Sequence, residues 1–260
     1  MPSPDWRAAE PGESALDHAL RRASQLENYF HEHHEETAAL ILEPLVQCAA
    51  GMAMYHPEYL RRAKRLCERY EVHLIADEIA VGCGRTGTFL ACEQGPIRPD
   101  FLCLSKGLSG GYLPLSVVLT TETIYEAFYD DEAARGFLHS HSYTGNPLAC
   151  RAALAALSVL DDDRVLQSNR EKARLLTQKG RKIASHPRVR HWRNTGMIWA
   201  FDVQTDDPAF APRFHAAALE RELLLRPLGR TVYFMPPYVI EPDEIDLLVD
   251  RTVALLDELE

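Results

Sequence analysis

An α/β fold, with a mostly parallel sheet followed by a smaller α+β part, is what the sequence predicts, on three observations. Short apolar runs alternate with stretches of helical spacing over the first 157 residues, the pattern of a sheet buried on both faces. An acid and a lysine each close one of those runs. From about residue 158 the pattern changes, and residues 158–260 read as the smaller part. The expected division is therefore 1–157 and 158–260.

Taken in order, residues 1–15 are rich in Pro, Glu and Ser and read as an irregular lead-in. Residues 16–36 read as a polar helix. Residues 38–45 form a short apolar run and read as a buried strand. Helical spacing over 57–70 starts at Pro57, a residue suited to a first turn. Residues 73–76 read as a second buried strand ending at Asp77, residues 100–104 as a third ending at Ser105-Lys106, and 115–120 as a fourth. Asn146-Pro147 opens a long helix, with Asn as cap and Pro at the first helical position. Residues 162–184 continue as a charged amphipathic helix. Strands are then expected at 189–193, 197–203 and 231–234, and helices at 208–222 and 242–259.

Composition narrows the classes. Of 260 residues, 46% are hydrophobic and 25% charged, the mixture of an ordinary globular chain. A net charge of −10 argues against a nucleic-acid partner. No apolar run approaches the roughly 20 residues of a membrane span, and no basic stretch followed by an apolar core marks a secretion signal. The six cysteines, Cys48, Cys67, Cys83, Cys92, Cys103 and Cys150, are scattered without the close pairs of a zinc site. They read as free thiols of a reducing cytoplasm.

Chemistry concentrates at two strand ends. In Phe101-Leu-Cys-Leu-Ser-Lys106-Gly-Leu-Ser-Gly-Gly111 a lysine follows an apolar strand. Burial there would favour the free amine, which can attack a carbonyl. The glycines after it allow close backbone approach to a ligand. In His73-Leu-Ile-Ala-Asp77-Glu-Ile79 an acid ends a buried strand and needs a partner. A protonated pyridine nitrogen is such a partner, and Ile79 could pack against the same ring. Each residue alone has a plain alternative: a solvated lysine, and a helix cap or structural ion pair for Asp77. Together they make the two halves of a pyridoxal 5′-phosphate (PLP) site.

Two other patterns are set aside. Gly82-Cys-Gly84-Arg-Thr-Gly87 fits G-x-G-x-x-G, but it does not directly follow a strand, and Thr88-Phe-Leu-Ala is a poor helix start. The cluster His31-Glu-His33-His34-Glu-Glu36 misses the H-E-x-x-H spacing and reads as a solvated helix face rather than a metal site.

The run Leu-Ile-Ala-Asp77-Glu-Ile79-Ala-Val-Gly-Cys-Gly-Arg85-Thr-Gly87, followed by Leu-Ser-Lys106-Gly-Leu-Ser-Gly-Gly111, resembles the class III PLP-dependent aminotransferases. Supporting stretches are Ile-Leu-Glu43-Pro-Leu-Val-Gln47, Met54-Tyr-His-Pro57, His139-Ser-His141-Ser142-Tyr-Thr-Gly-Asn146-Pro and Leu225-Arg226-Pro-Leu-Gly-Arg-Thr-Val-Tyr233-Phe-Met-Pro-Pro-Tyr238. The resemblance runs from about residue 36 to the end. It implies the fold type I architecture, PLP as cofactor, Lys106 as the amine that captures it and moves protons, and Asp77 as the partner of the ring nitrogen. It implies a homodimer sharing its active sites, with Ser142 standing where the family has a phosphate-binding threonine that reaches the other subunit's cofactor. Serine keeps the hydroxyl donor and loses the methyl.

Within the class, the segment from Arg226 to Tyr238 resembles the branch that aminates 8-amino-7-oxononanoate with S-adenosylmethionine in biotin biosynthesis. Arg226 matches an arginine that grips the substrate carboxylate, a task suited to a planar guanidinium. Tyr233 matches a tyrosine of the same pocket. Position 141 has no equivalent of a substrate-binding glycine, because the residue there is His141. An ω-amine or diamine substrate is the alternative within the class. The resemblance also implies an N-terminal portion with a Gly-Ser phosphate loop and aromatic pocket residues, for which residues 1–35 offer no equivalent. The chain is therefore expected to be a truncated product or fragment, with an exposed sheet edge and an uncovered core face. A non-catalytic remnant of such an enzyme is the reading from a different functional class.

Overall fold

The computed structural model describes residues 1–162 and 164–259. The first sheet is built from strands β1 (Ala39–Leu42), β4 (His73–Asp77), β5 (Phe101–Leu104) and β6 (Val117–Thr120), in that spatial order. Between β1 and β4 the chain forms a small hairpin, β2 (Val46–Gln47) with β3 (Ala53–Met54), outside that sheet. β1, β4 and β5 run parallel, whereas β6 is antiparallel to β5. The turn at Lys106–Ser109 begins the return of the chain along the sheet. No crossover helix intervenes, so the next strand points back.

Helix α1 (Ala15–His33) buries Ala19, Ala23, Leu26 and Phe30, spaced by three or four residues as one helical face requires. It packs on α2 (Glu58–Arg69), which presents Leu60, Ala63 and Cys67. Ser14 caps α1 by accepting the Asp17 N–H at 3.1 Å. After β6 come the short α3 (Glu122–Glu126) and α4 (Pro147–Asp162). The Asn146 carboxamide oxygen accepts the N–H groups of Leu148 and Ala149 at 3.0 and 3.1 Å, the capping expected from the sequence. Asn146→Ala is expected to lower stability by about 1 kcal/mol, read as a shift of the urea midpoint at unchanged slope.

One expected helix is interrupted. Where the sequence reads as continuous over 162–184, α4 ends at Asp162, α5 spans Val165–Lys179, and α6 spans Arg181–Ala184. Arg164 adopts a left-handed φ of 50°, which no helix interior accepts. Asp163, within the expected helix, lies outside the described residues. Gly180 separates α5 from α6 under the Trp192 ring, which a Cβ at that position would meet at 2.5 Å.

The second sheet is antiparallel, β7 (Val189–Thr195), β8 (Ile198–Val203) and β9 (Thr231–Phe234), with α7 (Phe210–Glu220) before β9 and α8 (Pro242–Glu258) closing the fold. β8 is apolar on both faces. Ile198 and Ala200 sit in the core formed by α1, α2, β1 and β4. Trp199, Phe201 and Val203 sit in a second core with Phe214 of α7, Phe234 of β9, and Ile245 and Leu255 of α8. One strand therefore belongs to two cores.

Asp202, also on β8, gathers four donors. It accepts Arg193 at 3.2 Å, Arg7 at 3.2 Å, the Thr231 hydroxyl at 2.8 Å, and stands 2.8 Å from His191 Nδ1. Burial pushes its carboxyl up, and Arg193, His191, Thr231 and Arg7 together outweigh burial and hold it below its ordinary value of 3.8. A carboxyl held low in the folded state stabilises fully above its unfolded value, and that contribution is lost as pH falls through the folded value. Acidification below about pH 3.8 is therefore expected to lower the melting temperature of the native sequence more steeply than that of Asp202→Asn, in paired melts across pH 2–6.

Apolar surface stays open on the first sheet and beyond it. Val118 and Leu119 of edge strand β6 are 61% and 51% exposed, and Tyr112 and Leu138 are each 88% exposed. Among the described residues no helix is long and apolar enough to cross a membrane, and no group of His, Cys, Asp or Glu is arranged to hold a metal ion.

Candidate active site

Three parallel strands deliver charged groups to one rim of the sheet. Asp77 ends β4, in register with Cys103 of β5. The Glu78 N–H donates to the Cys103 carbonyl at 3.0 Å, so the pairing continues past the strand end. Lys106 follows three residues after Cys103. Adjacent strands lie about 4.8 Å apart, so Asp77 and Lys106 leave neighbouring strands on the same rim. On the other side, Leu42 of β1 is in register with Ala76, which makes Glu43 the next neighbour of Asp77.

Each group has a local reason for its place. Asp77 accepts the Ile79 N–H at 3.1 Å, a turn that bends the chain out of the strand and into the cleft. Lys106 has a φ of 44°, uncommon for a residue with a Cβ and a form of local strain that gathers at functional sites. The Ser105 hydroxyl donates to the Leu115 carbonyl at 2.7 Å and pins the turn beneath it. Glu43 is half-buried and accepts the Cys48 N–H at 3.0 Å. Burial pushes its carboxyl up, the Cys48 hydrogen bond opposes this, Asp77 raises it further and Lys106 lowers it. The charges of Asp77 and Lys106 are thus both felt at Glu43. Glu78, by contrast, is buried and structural, accepting the N–H groups of Ala91 and Cys92 at 2.7 Å each.

Of these groups Lys106 lines a cleft of about 1590 Å³, together with Ile79, Arg85, Gly110, Tyr233 and Tyr238. Arg85 crosses one wall. Its guanidinium lies 4.3 Å from the Tyr238 ring centroid and donates to the Pro236 carbonyl at 2.7 Å. Burial lowers the Arg85 guanidinium from its ordinary value. The Tyr238 hydroxyl donates to the Cys83 carbonyl at 2.9 Å, and Lys172 of α5 donates to the Tyr238 carbonyl at 2.7 Å. Glu43, Arg85 and Tyr238 had no role assigned from sequence, although all three fall inside the stretches that carry the resemblance. Their signal was the Glu-Pro step after the first strand and the arginine between Gly84 and Gly87.

The structure corrects or qualifies several expectations. Lys106 is exposed, so the burial expected of a lysine at an apolar strand end is not present in this chain. The turn it opens carries the side chain off the sheet and over the open cleft. Asp77 is half-buried and accepts the Ile79 N–H in a local turn, rather than serving as the helix cap or ion-pair member of its plain alternative reading. Ser142 is exposed in the turn before α4 and is not among the residues lining the cleft. Position 141 beside it holds a histidine and not a glycine, so it cannot supply the bare backbone approach that a pocket glycine gives. His141 is exposed and spent on its own turn, its N–H donating to the Thr144 hydroxyl at 3.2 Å and its ring Nδ1 accepting the Tyr143 N–H at 3.1 Å. It too is not among the residues lining the cleft. Arg226 is exposed and lines a neighbouring cleft of about 790 Å³, with Tyr233 lining both. Lys106, Ile79 and Tyr233 thus share one cleft, Asp77 stands at the sheet rim behind Ile79, and Arg226 and Ser142 stand apart.

The fold is that of the transaminases. The omega transaminase of Pseudomonas jessenii, solved in complex with PMP, superposes with a TM-score of 0.90 at 29% identity, over 97% of this chain and 58% of that one. The adenosylmethionine-8-amino-7-oxononanoate aminotransferase of Methanocaldococcus jannaschii superposes with a TM-score of 0.86 at 32% identity, over 91% of this chain and 57% of that one. The aminotransferase class-III model matches residues 2–256, and the chain belongs to that family. The adenosylmethionine-8-amino-7-oxononanoate aminotransferase of Helicobacter pylori is 44% identical over 251 residues, covering 94% of this chain and 57% of that protein. That of Aquifex aeolicus is 36% identical over 271 residues, covering 100% of this chain and 60% of that protein. The chain spans somewhat over half the length of these curated relatives.

Proposed function

We propose that the chain is the lysine-bearing part of a PLP-dependent aminotransferase that converts 8-amino-7-oxononanoate to 7,8-diaminononanoate with S-adenosylmethionine as amino donor. The observation that carries the reading is the carboxylate of Asp77 and the amine of Lys106 leaving the ends of two adjacent parallel strands. A carboxylate and an amine on one rim, with Ile79 and Lys106 lining the same cleft, are the donor set that the ring-nitrogen and aldehyde ends of PLP require. Relatives at 44% and 42% identity carry this enzyme name, which supports the choice of substrates.

When bound, PLP supplies an aldehyde and a ring that takes up the electron pair of a broken Cα–H bond. Asp77 would hold the proton on the ring nitrogen. Lys106 would take the proton at the substrate Cα and deliver it to the carbon that was the cofactor's aldehyde. Ile79 would fix the ring's height over the sheet. Arg226, in the neighbouring cleft, would hold the distant carboxylate of 8-amino-7-oxononanoate, with Tyr233 between the two clefts. Ser142 would serve the partner subunit of a homodimer. Residues 1–157 would form the cofactor-binding domain and 158–260 the small domain of a cytoplasmic enzyme.

The test is to add PLP to the purified chain, reduce with borohydride and map the modified peptide. A single reduced adduct on Lys106 is expected. An absent or dispersed adduct would leave the remnant reading. The omega transaminases among the structural neighbours favour one second reading, an ω-amine as donor. Comparing S-adenosylmethionine with an ω-amine in the first half-reaction separates the two.

A further inference from the structure

The hairpin loop between β2 and β3 forms one wall of the cleft through Cys48, Ala49 and Met52. Its backbone is unusual. Met52 has a φ of 51° and Gly51 a φ of 77°, and the carbonyls of Ala50, Gly51 and Met52 lie outside the paired residues of the hairpin. Two guanidinium groups take them up. Arg193 donates to Gly51 at 2.8 Å and to Met52 at 2.9 Å, and Arg7 donates to Ala50 at 3.4 Å. Both arginines are held by Asp202 of β8. Arg193 is only 4% exposed, and its remaining nitrogen donates to the His191 carbonyl at 2.7 Å. The carbonyls of Ala50, Gly51 and Met52 are therefore each tied to a guanidinium that Asp202 anchors. A lysine in place of Arg193 could not reproduce its forked contacts, since an ammonium is a point donor.

We propose that Arg193 and Arg7, gathered on Asp202, are positioning residues that latch the Cys48–Met52 wall of the cleft to β8. The inference rests on reading this cleft as the cofactor's. The latch sets where Cys48, Ala49 and Met52 stand, and Glu43 too, because its carboxylate accepts the Cys48 N–H. The turn leading into β8 also meets Arg85, whose carbonyl accepts the Met197 N–H at 2.9 Å. Two walls of the cleft are thus registered on one strand, and a shift of that strand moves both.

Cys48 reports the state of the latch. Burial and Glu43 push its thiol up to about 12, so at pH 8 it is a poor nucleophile. Releasing the loop brings the thiol towards its unperturbed value near 8.5 and speeds alkylation. The experiment measures iodoacetamide alkylation of each cysteine by mass spectrometry, with exposed Cys150 as the fast reference and buried Cys67 and Cys92 as reporters of general unfolding.

In Arg193→Met, Cys48 is expected to react at least ten-fold faster while Cys67 and Cys92 keep their rates. Arg193→Lys is expected to restore part of the protection. Arg7→Met, which leaves the buried arginine in place, is expected to give a smaller rise of about three-fold, and carries the test if Arg193→Met does not fold. An unchanged Cys48 rate in these variants overturns the proposal, as does a rise shared equally by Cys67 and Cys92. PLP uptake by the unmodified chain is measured separately. Absent uptake with accelerated Cys48 rejects the cofactor reading and keeps the latch. Normal uptake with unchanged Cys48 does the reverse.

Discussion

Replacing Lys106 by alanine is expected to abolish the borohydride-fixed PLP adduct and the visible absorbance of the loaded chain, with the melting temperature nearly unchanged. The side chain is exposed on a turn whose backbone is pinned by Ser105 and Leu108, so little packing is lost. Under the proposed role of Lys106, its removal takes away proton transfer between the substrate Cα and the cofactor, a contribution of roughly 100- to 10,000-fold in rate, together with the covalent anchor of the cofactor. The assay is turnover of 8-amino-7-oxononanoate, alongside the absorbance spectrum and the peptide map. Asp77→Asn makes the companion variant. It keeps the turn with Ile79, since an amide oxygen still accepts that N–H, while removing the charge. Retained turnover in Lys106→Ala would end the mechanism that rests on this lysine.

The largest loss of stability is expected from Gly196→Ala. Gly196 makes the tight connection between β7 and β8 at a φ of 55°, and a Cβ there would lie 2.3 Å from the Thr86 carbonyl carbon and 2.6 Å from the Gly87 nitrogen. These are backbone atoms and cannot swing aside. Left-handed strain of about 1–2 kcal/mol adds to overpacking of about 1–3 kcal/mol. A fall in melting temperature of roughly 5–15 °C follows for a chain of this size. Gly229→Ala is the control. Its φ is 58°, but nothing stands within 4 Å of its Cβ position, so it carries the strain without the overlap. Equal melting temperatures for the two variants would show that the close approach contributes nothing. Because the displaced turn carries Arg85, Gly196→Ala should also disturb the Arg85–Tyr238 stack.

Much of this was legible before any coordinates. Apolar runs bounded by polar residues located the four strands of the first sheet within a few residues, and Thr231–Phe234 to the residue. Asp77 and Lys106 stood out because burial tolerates a charged group only where a strand ends. Asn146-Pro147 declared a helix start by cap chemistry alone.

What escaped has physical reasons too. The break at Arg164 lies inside unbroken helical spacing, and a left-handed arginine leaves no mark in composition. β2 and β3 are two residues each, too short for a period to register. The loop between them is shaped by Arg193, which lies far along the chain, and no local pattern announces so distant a partner. The exposure of Lys106 and the separation of Arg226 into its own cleft depend on where loops turn, which neither residue's immediate neighbours encode.

The strand with Ile198 and Ala200 on one side and Trp199 and Phe201 on the other has a calorimetric consequence. Neither half of the molecule can melt without stripping the other of a wall of apolar side chains. Heat absorption should therefore come in one peak, with a van't Hoff enthalpy equal to the calorimetric one. Fragments separated between α4 and α5 should not regain the ordered state on their own.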